Sequence, residues 1–223
     1  GSLGHDQVNQ SERIISLVKR YSLHKKGDLL DFGCGTGIFL KVASQHGYNV
    51  YGIDKSSSAL EVARANINIE TSLLTTKLSG IGNKNFAIVS FIDSIGHVCN
   101  PKELLRELCT NNMKPGSVLI VRTPIATGLF VFWARFMASI LPFKWGANLL
   151  HINTRYMMLN KRSIRLLLSS LGLSIVHIET SWDYISSKHF KSPKSLLWFL
   201  ISDYIPRILG GHNSMVVVAI LSA

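Results

Sequence analysis

The chain has 223 residues, is 47% hydrophobic and only 17% charged, and carries a formal net charge of +11. That length buries a full core, and so apolar a composition excludes a disordered chain. The positive excess is compatible with nucleic acid, an anionic membrane surface, acidic substrates or simply a solvated basic face.

In chain order, Asn9 to Leu23 places Ile14, Ile15, Leu17, Val18 and Tyr21 at helical spacing, with Ser11 positioned as a cap. "GDLLDFG" reads as a buried strand, and "IFLKVASQH" as a helix opening on the glycines that follow that strand. "YNVYGID" is a second strand and "SSSALEVARANI" a helix with serine caps. "SLLTTKL" is a weak third strand and "NFAIVSF" a clear fourth. "PKELLRELCTNNM" then reads as a helix with proline in its first turn, and "GSVLIVRTP" as a fifth strand. Further on come a helix, "NKRSIRLLLSSL", and two late strands, "LSIVHIETS" and "SMVVVAILS". Strand and helix alternate from residue 28 to 123, the pattern of a parallel sheet covered on both faces. Two apolar stretches break the rhythm, Gly128 to Leu150 and Ser192 to Gly211. The expected organisation is one domain over 1–223, with an N-terminal helix at 9–23, a lid insertion at about 125–158 and a second insertion at about 186–211.

Cys34, Cys99 and Cys109 cannot all pair and form no CxxC, which suits a reducing, cytoplasmic compartment. Gly1-Ser2 reads as the remnant of a cleaved tag, so the natural start is not on view. The histidines are scattered without ligand spacing, so no metal centre is expected.

The segment "LLDFGCGTG" carries the chemistry. A strand that ends in closely spaced glycines and feeds a helix lets a ligand approach the backbone, and it presents unpaired N–H groups to it. A dinucleotide fingerprint is G-x-G-x-x-G; here Gly33, Gly35 and Gly37 make G-x-G-x-G, followed by Ile38. Asp31, two residues before the first glycine, would repel a pyrophosphate but suits a cation. That favours S-adenosylmethionine, with its sulfonium and α-amino group. Asp54 closes the second strand and can accept both hydroxyls of a ribose, a role that serves nicotinamide and methionine nucleotides alike.

"LLDFGCGTG", "VYGIDKS" and "NFAIVSFIDSIGHVCNPKELLRELCTNNMKPGSVLIVRTP" together resemble the successive motifs of class I S-adenosylmethionine-dependent methyltransferases. The similarity is greatest to the small-molecule type of ubiquinone biosynthesis and natural-product O-methylation, and it covers roughly residues 28 to 124. It implies an α/β, Rossmann-like, mostly parallel sheet of seven strands, with helices on both faces, an antiparallel last strand and helical lid insertions. It further implies that Asp31, Gly33, Cys34, Gly35 and Gly37 surround the methionine end of the cofactor, converted to S-adenosylhomocysteine as product. Asp54 would hold the ribose, Lys55 would lie beside the adenine, and Phe91 and Ile92 would line the floor. One departure stands out: an aspartate often found after the third strand, against the adenine, falls here near Thr75 or Thr76.

Methyl transfer is an in-line attack on a sulfonium carbon, so the protein mainly aligns the nucleophile and excludes water. A hydroxyl acceptor also benefits from a base. His97, in "SIGHV", matches a histidine common in the family and is the catalytic candidate; a packing role is the alternative. Asp93, Phe132, Trp133, His151, Arg155 and Tyr156 are candidates to face the acceptor. The two apolar stretches can cap a hydrophobic acceptor, lie in a membrane interface or form buried helix; Arg135 and Pro142 interrupt the first too early for a membrane span. The expected partner is a small or lipid-linked acceptor, methylated at oxygen, with peripheral membrane contact as an option. A nucleic-acid substrate is the rival reading, less favoured because the basic residues are dispersed and "FIDS" replaces an NPPY-like motif. A cofactor-binding subunit without catalysis is the second rival.

Overall fold

The runs at Asp28–Phe32, Asn49–Ile53 and Phe86–Ile92 each end beside a glycine or an acid, and each leads into a helix. The computed structural model describes residues 2–23, 26–67, 74–125, 156–181 and 213–222. Its strands are β1 (Asp28–Phe32), β2 (Asn49–Ile53), β3 (Leu74–Thr75), β4 (Phe86–Ile92), β5 (Met113–Pro124), β6 (Leu173–Ser181) and β7 (Ser214–Leu221). Its helices are α1 (Ser2–Tyr21), α2 (Ile38–Gln45), α3 (Ser57–Ile67), α4 (Pro101–Asn111) and α5 (Lys161–Ser169). The strands form one seven-stranded sheet in the order β3-β2-β1-β4-β5-β7-β6. All pairs from β3 to β5 are parallel, while β7 runs antiparallel to both its neighbours, β5 and β6. The expected α/β architecture with an antiparallel last strand is thus observed.

Alternation along the strands divides the core in two. Leu29, Ile88, Val118, Ile120 and Val218 face α1, α2 and α3, meeting Ile14, Val18, Leu40 and Leu60. Leu30, Val89, Phe91, Leu119 and Val217 face α4 and α5, meeting Leu105, Leu108, Ile164 and Leu168. Burying each such aliphatic side chain stabilises the fold by about 1.5–3 kcal/mol.

Local signals explain where the helices begin and stop. Ser56 caps α3, its Oγ accepting the Ala59 N–H at 3.2 Å. Asn160 caps α5 in a reciprocal capping box with Ser163. Two boundaries differ from the sequence expectation. The first helix starts at Ser2, so Ser11 lies within it and does not cap it; buried, its hydroxyl donates back to the Gln7 carbonyl at 2.8 Å. The fourth helix stops at Asn111, because Asn112 turns its side-chain amide to the carbonyls of Gly82 and Lys84, 2.9 Å from each, and accepts the Phe86 N–H on its own carbonyl. Met113 can then open β5.

The bodies of both insertions, and with them Phe132, Trp133, His151 and Arg155, lie outside the described residues. Described strand-end residues flank both stretches. Ile125 bridges to Leu159, and Ser181 pairs with Ser214, which pairs in turn with Pro124. Both insertions therefore depart from one row, at the carboxyl edge of the parallel strands.

Candidate functional site

A cavity of about 330 Å³ opens at the carboxyl ends of β1, β2 and β4, where the strand order reverses direction. Ligands of open α/β sheets bind at such a switch point. Phe32, Ile53 and Ile92 end the three strands and line it; Gly33, Asp54, Lys55, Thr76, Leu78, Asp93, Ser94, His97 and Val98 complete the wall.

The glycine loop is shaped by backbone contacts. The N–H groups of Gly33 and Cys34 both donate to the Ile53 carbonyl, at 2.7 and 3.0 Å, which folds the loop over the end of β2. Gly33 has φ +79°, and a Cβ there would stand 2.3 Å from that of Ser94, so β1 and the turn after β4 can touch only through a glycine. Ser94 also donates its hydroxyl to the Phe32 carbonyl. Gly35 differs: it has φ +52°, yet a Cβ would meet nothing within 4 Å. The positive φ, not the packing around it, is what favours a glycine there.

The acids take separate places. Asp54 accepts the Gly35 N–H on Oδ2 at 2.8 Å and the Ser56 N–H on Oδ1 at 2.9 Å, which fixes its carboxylate and leaves lone pairs on both oxygens. Asp31 is only 2% exposed and does not line the cavity; its Oδ1 accepts the Ser90 hydroxyl at 2.7 Å. Burial, opposed by that hydrogen bond and reinforced by the Asp54 charge, raises its carboxyl to about 7. Cys34 is buried; desolvation first, then the Asp31 and Asp54 charges, push its thiol up and keep it unreactive.

On the far wall, Asp93 follows β4 with φ +58°, the single non-glycine residue of positive φ among the described residues. Its N–H donates to the Arg122 carbonyl at 2.8 Å, and its Oδ2 accepts from the buried Arg122 guanidinium. His97 closes a one-turn 3₁₀ helix, Ile95–His97, and lines the cavity with its side chain exposed. Tyr156 is 68% exposed and lies outside the cavity wall, but its N–H donates to the Gly96 carbonyl at 2.8 Å. The return from the first insertion therefore lies against the His97 turn.

Residues 7–178 match the sequence model of the family described as "Methyltransferase domain". The chain belongs to this methyltransferase family. The resemblance to class I S-adenosylmethionine-dependent enzymes drawn from the motifs stands with it. Ubiquinone biosynthesis O-methyltransferases from Stutzerimonas stutzeri and Pseudomonas entomophila are 28% and 30% identical to it, over 146 and 140 residues. These alignments cover 61% and 58% of the methyltransferase chain and span 60% of the length of each relative. The fold matches that of magnesium protoporphyrin IX methyltransferase from Synechocystis with bound S-adenosylhomocysteine, at TM-score 0.65 and 18% identity, over 99% of this chain and 84% of that one. It also matches the plantazolicin methyltransferase in complex with the same nucleoside, at TM-score 0.61 and 19% identity, over 94% and 82%.

The residues of the methyltransferase cavity fit a sulfonium nucleoside: a carboxylate at Asp54, fixed in part by the Gly35 N–H, and a second carboxylate, Asp93, on the opposite wall. Of the residues named from sequence, Gly33, Asp54, Lys55, Ile92, Asp93 and His97 meet around it. Phe91 is fully buried, stacked behind the cavity residue Phe32 at 5.2 Å, and does not itself line the cavity. Cys34 turns its Sγ toward Gly52, and Gly37 precedes α2, so both shape the loop from behind. β3 ends at Thr75, whose Oγ1 donates to the Lys77 carbonyl, and Thr76 stands on the cavity wall. Sequence reasoning missed Ser94 and Arg122. The available signal for the second was a lone charge inside "VLIVRTP".

Proposed function

We propose that this methyltransferase transfers the methyl group of S-adenosylmethionine to a small hydrophobic acceptor, at oxygen. The observation that carries the reading is the cavity at the strand switch point, walled by Asp54 and Asp93 with His97 beside it. Asp54 would accept the ribose hydroxyls, Lys55 and Thr76 would border the adenine, and the loop at Gly35 would lie against the methionine portion. The bound cofactor supplies an electrophilic methyl carbon on an excellent leaving group. The protein's part is to orient the acceptor hydroxyl, exclude water and take the proton, for which the His97 imidazole is the nearest candidate on the wall. Two observations support an apolar acceptor. Both apolar insertions leave from the carboxyl edge beside one another, and the relatives named above act in ubiquinone biosynthesis. Among the described residues no helix is long and apolar enough to cross a membrane.

Thermal-shift measurements with S-adenosylmethionine, S-adenosylhomocysteine and NADH test the cofactor, since a ligand at a hundred times its Kd adds about 2.7 kcal/mol. The two sulfur nucleosides should stabilise the protein and NADH should not. Labelled methyl from S-adenosylmethionine should then appear on phenolic or lipid extract components, and His97→Ala should lower kcat. Label on RNA, with binding that weakens steeply with salt, would replace the acceptor class.

A further inference from the structure

We infer that Arg122 is a positioning residue for methyl transfer: acting through Asp93, it sets the turn that carries His97 to the cavity wall. The inference rests on the reading of His97 given above. Strand β4 ends at Ile92, and the chain reaches the one-turn 3₁₀ helix Ile95–His97 through Asp93 and Ser94 alone. That turn is a closed unit. The His97 N–H donates to the Ser94 carbonyl at 2.9 Å and the Val98 N–H to the Ile95 carbonyl at 3.2 Å, with Ile95 fully buried. The backbone at Asp93 therefore fixes the angle at which this unit, and His97 with it, leaves the sheet.

That backbone is strained: at φ +58° a non-glycine residue is sterically disfavoured and persists only where its surroundings impose it. Arg122 imposes it from two sides. It stands opposite Ile92 in β5, so its carbonyl accepts the Asp93 N–H at 2.8 Å while its guanidinium donates to Asp93 Oδ2. The other carboxylate oxygen, Oδ1, is buried and takes no hydrogen bond, so it supplies no alternative hold. The Arg122 side chain is only 7% exposed, follows the buried run Val118–Val121 and does not line the cavity. A charge buried this deeply is seldom more stabilising than a well-packed apolar side chain in its place. Stability does not account for it, whereas a fixed conformation at Asp93 does. His97 lies four residues further on, and a displacement of about 1 Å at a catalytic group can cost about a hundredfold in rate.

The first test needs no acceptor: histidine side-chain NMR of the full chain with S-adenosylhomocysteine, the His97 signal being the one lost in His97→Ala. That signal should shift in Arg122→Met, shift less in Arg122→Lys, and return when Asp93→Gly is added to Arg122→Met, since glycine takes a positive φ unaided. A His97 signal that Arg122→Met leaves in place overturns the inference, however much the variant loses in stability. The second test is a double-mutant cycle on the initial rate of labelled methyl transfer from saturating S-adenosylmethionine to a phenolic extract. Arg122→Met should lower that rate by about tenfold to a hundredfold, and Arg122→Lys should recover part of it. In a His97→Ala background the same substitution should cost less than about twofold more, because residues acting as a unit are not additive. A merely structural role would cost the same in both backgrounds, and that result overturns the inference. A different failure, His97→Ala with the full wild-type rate, would overturn the assignment of His97 as the base.

Discussion

Asp31 lies in β1, paired with Ser90 of β4, with its carboxyl raised to about 7, chiefly by burial. The sign of its linkage follows. Above the unfolded value of 3.8 and up to about 7, the folded state holds a proton that the unfolded chain has lost. The contribution of this group to stability is therefore fully present at low pH and fades as pH rises through 7. A cation in the neighbouring cavity favours the ionised form, so binding S-adenosylmethionine should release a proton below pH 7. The cofactor's Kd is expected to tighten between pH 6 and 8, then level off. Calorimetry in two buffers of different ionisation enthalpy would read the proton directly. Asp31→Asn should flatten the profile and leave the unliganded protein no less stable at pH 8; a profile that Asp31→Asn leaves steep would assign the titration elsewhere.

The glycine loop shows that residues of one type in one motif have separable duties. Gly33→Ala should destabilise the fold by roughly 1–3 kcal/mol, the range of overpacking, because its Cβ would land 2.3 Å from that of Ser94. Gly35→Ala strains only φ, costing about 1–2 kcal/mol; on the proposed placement of the cofactor it should also weaken S-adenosylmethionine by about tenfold or more. Urea melts and titration on both variants separate the two effects. A spacing pattern makes the loop legible in the sequence without revealing this division. Elements whose cause is local were legible as well: the Ser56 cap, the proline opening α4, and the alternating apolar runs of the sheet. What required structure was non-local. The end of α4 depends on Asn112 reaching Gly82 and Lys84, some thirty residues back along the chain. The withdrawal of Asp31 from the cavity depends on Ser90, and the strain at Asp93 on Arg122. Each of these pairs joins strands or turns that only the parallel register brings side by side.

At the scale of the whole molecule, the first helix is tied to the sixth strand, across 156 residues of sequence. The Tyr21 hydroxyl lies 3.2 Å from His177 Nδ1, and the two rings stack at 5.2 Å. Glu179 meets His177 Nε2 at 3.3 Å and Arg13 at 3.1 Å. Helix α1 also packs on α2, β5 and β7, so this corner joins the earliest described element to the two latest strands. It covers the sheet face that carries Asp31, Ser90 and Arg122, since these alternate in phase with Leu29, Ile88 and Ile120. Arg13 is 53% exposed, so its ion pair alone contributes little, and Glu179→Gln should cost less than about 1 kcal/mol. Tyr21→Ala removes the stacking, the hydrogen bond and the packing together and should cost about 1–3 kcal/mol. Hydrogen exchange should then accelerate first in α1, with β1, β4 and β5 still protected, because the central strands keep their second core against α4 and α5. If α1 instead exchanges in step with the central strands, helix and sheet form one cooperative unit, and this corner is not where the layer opens.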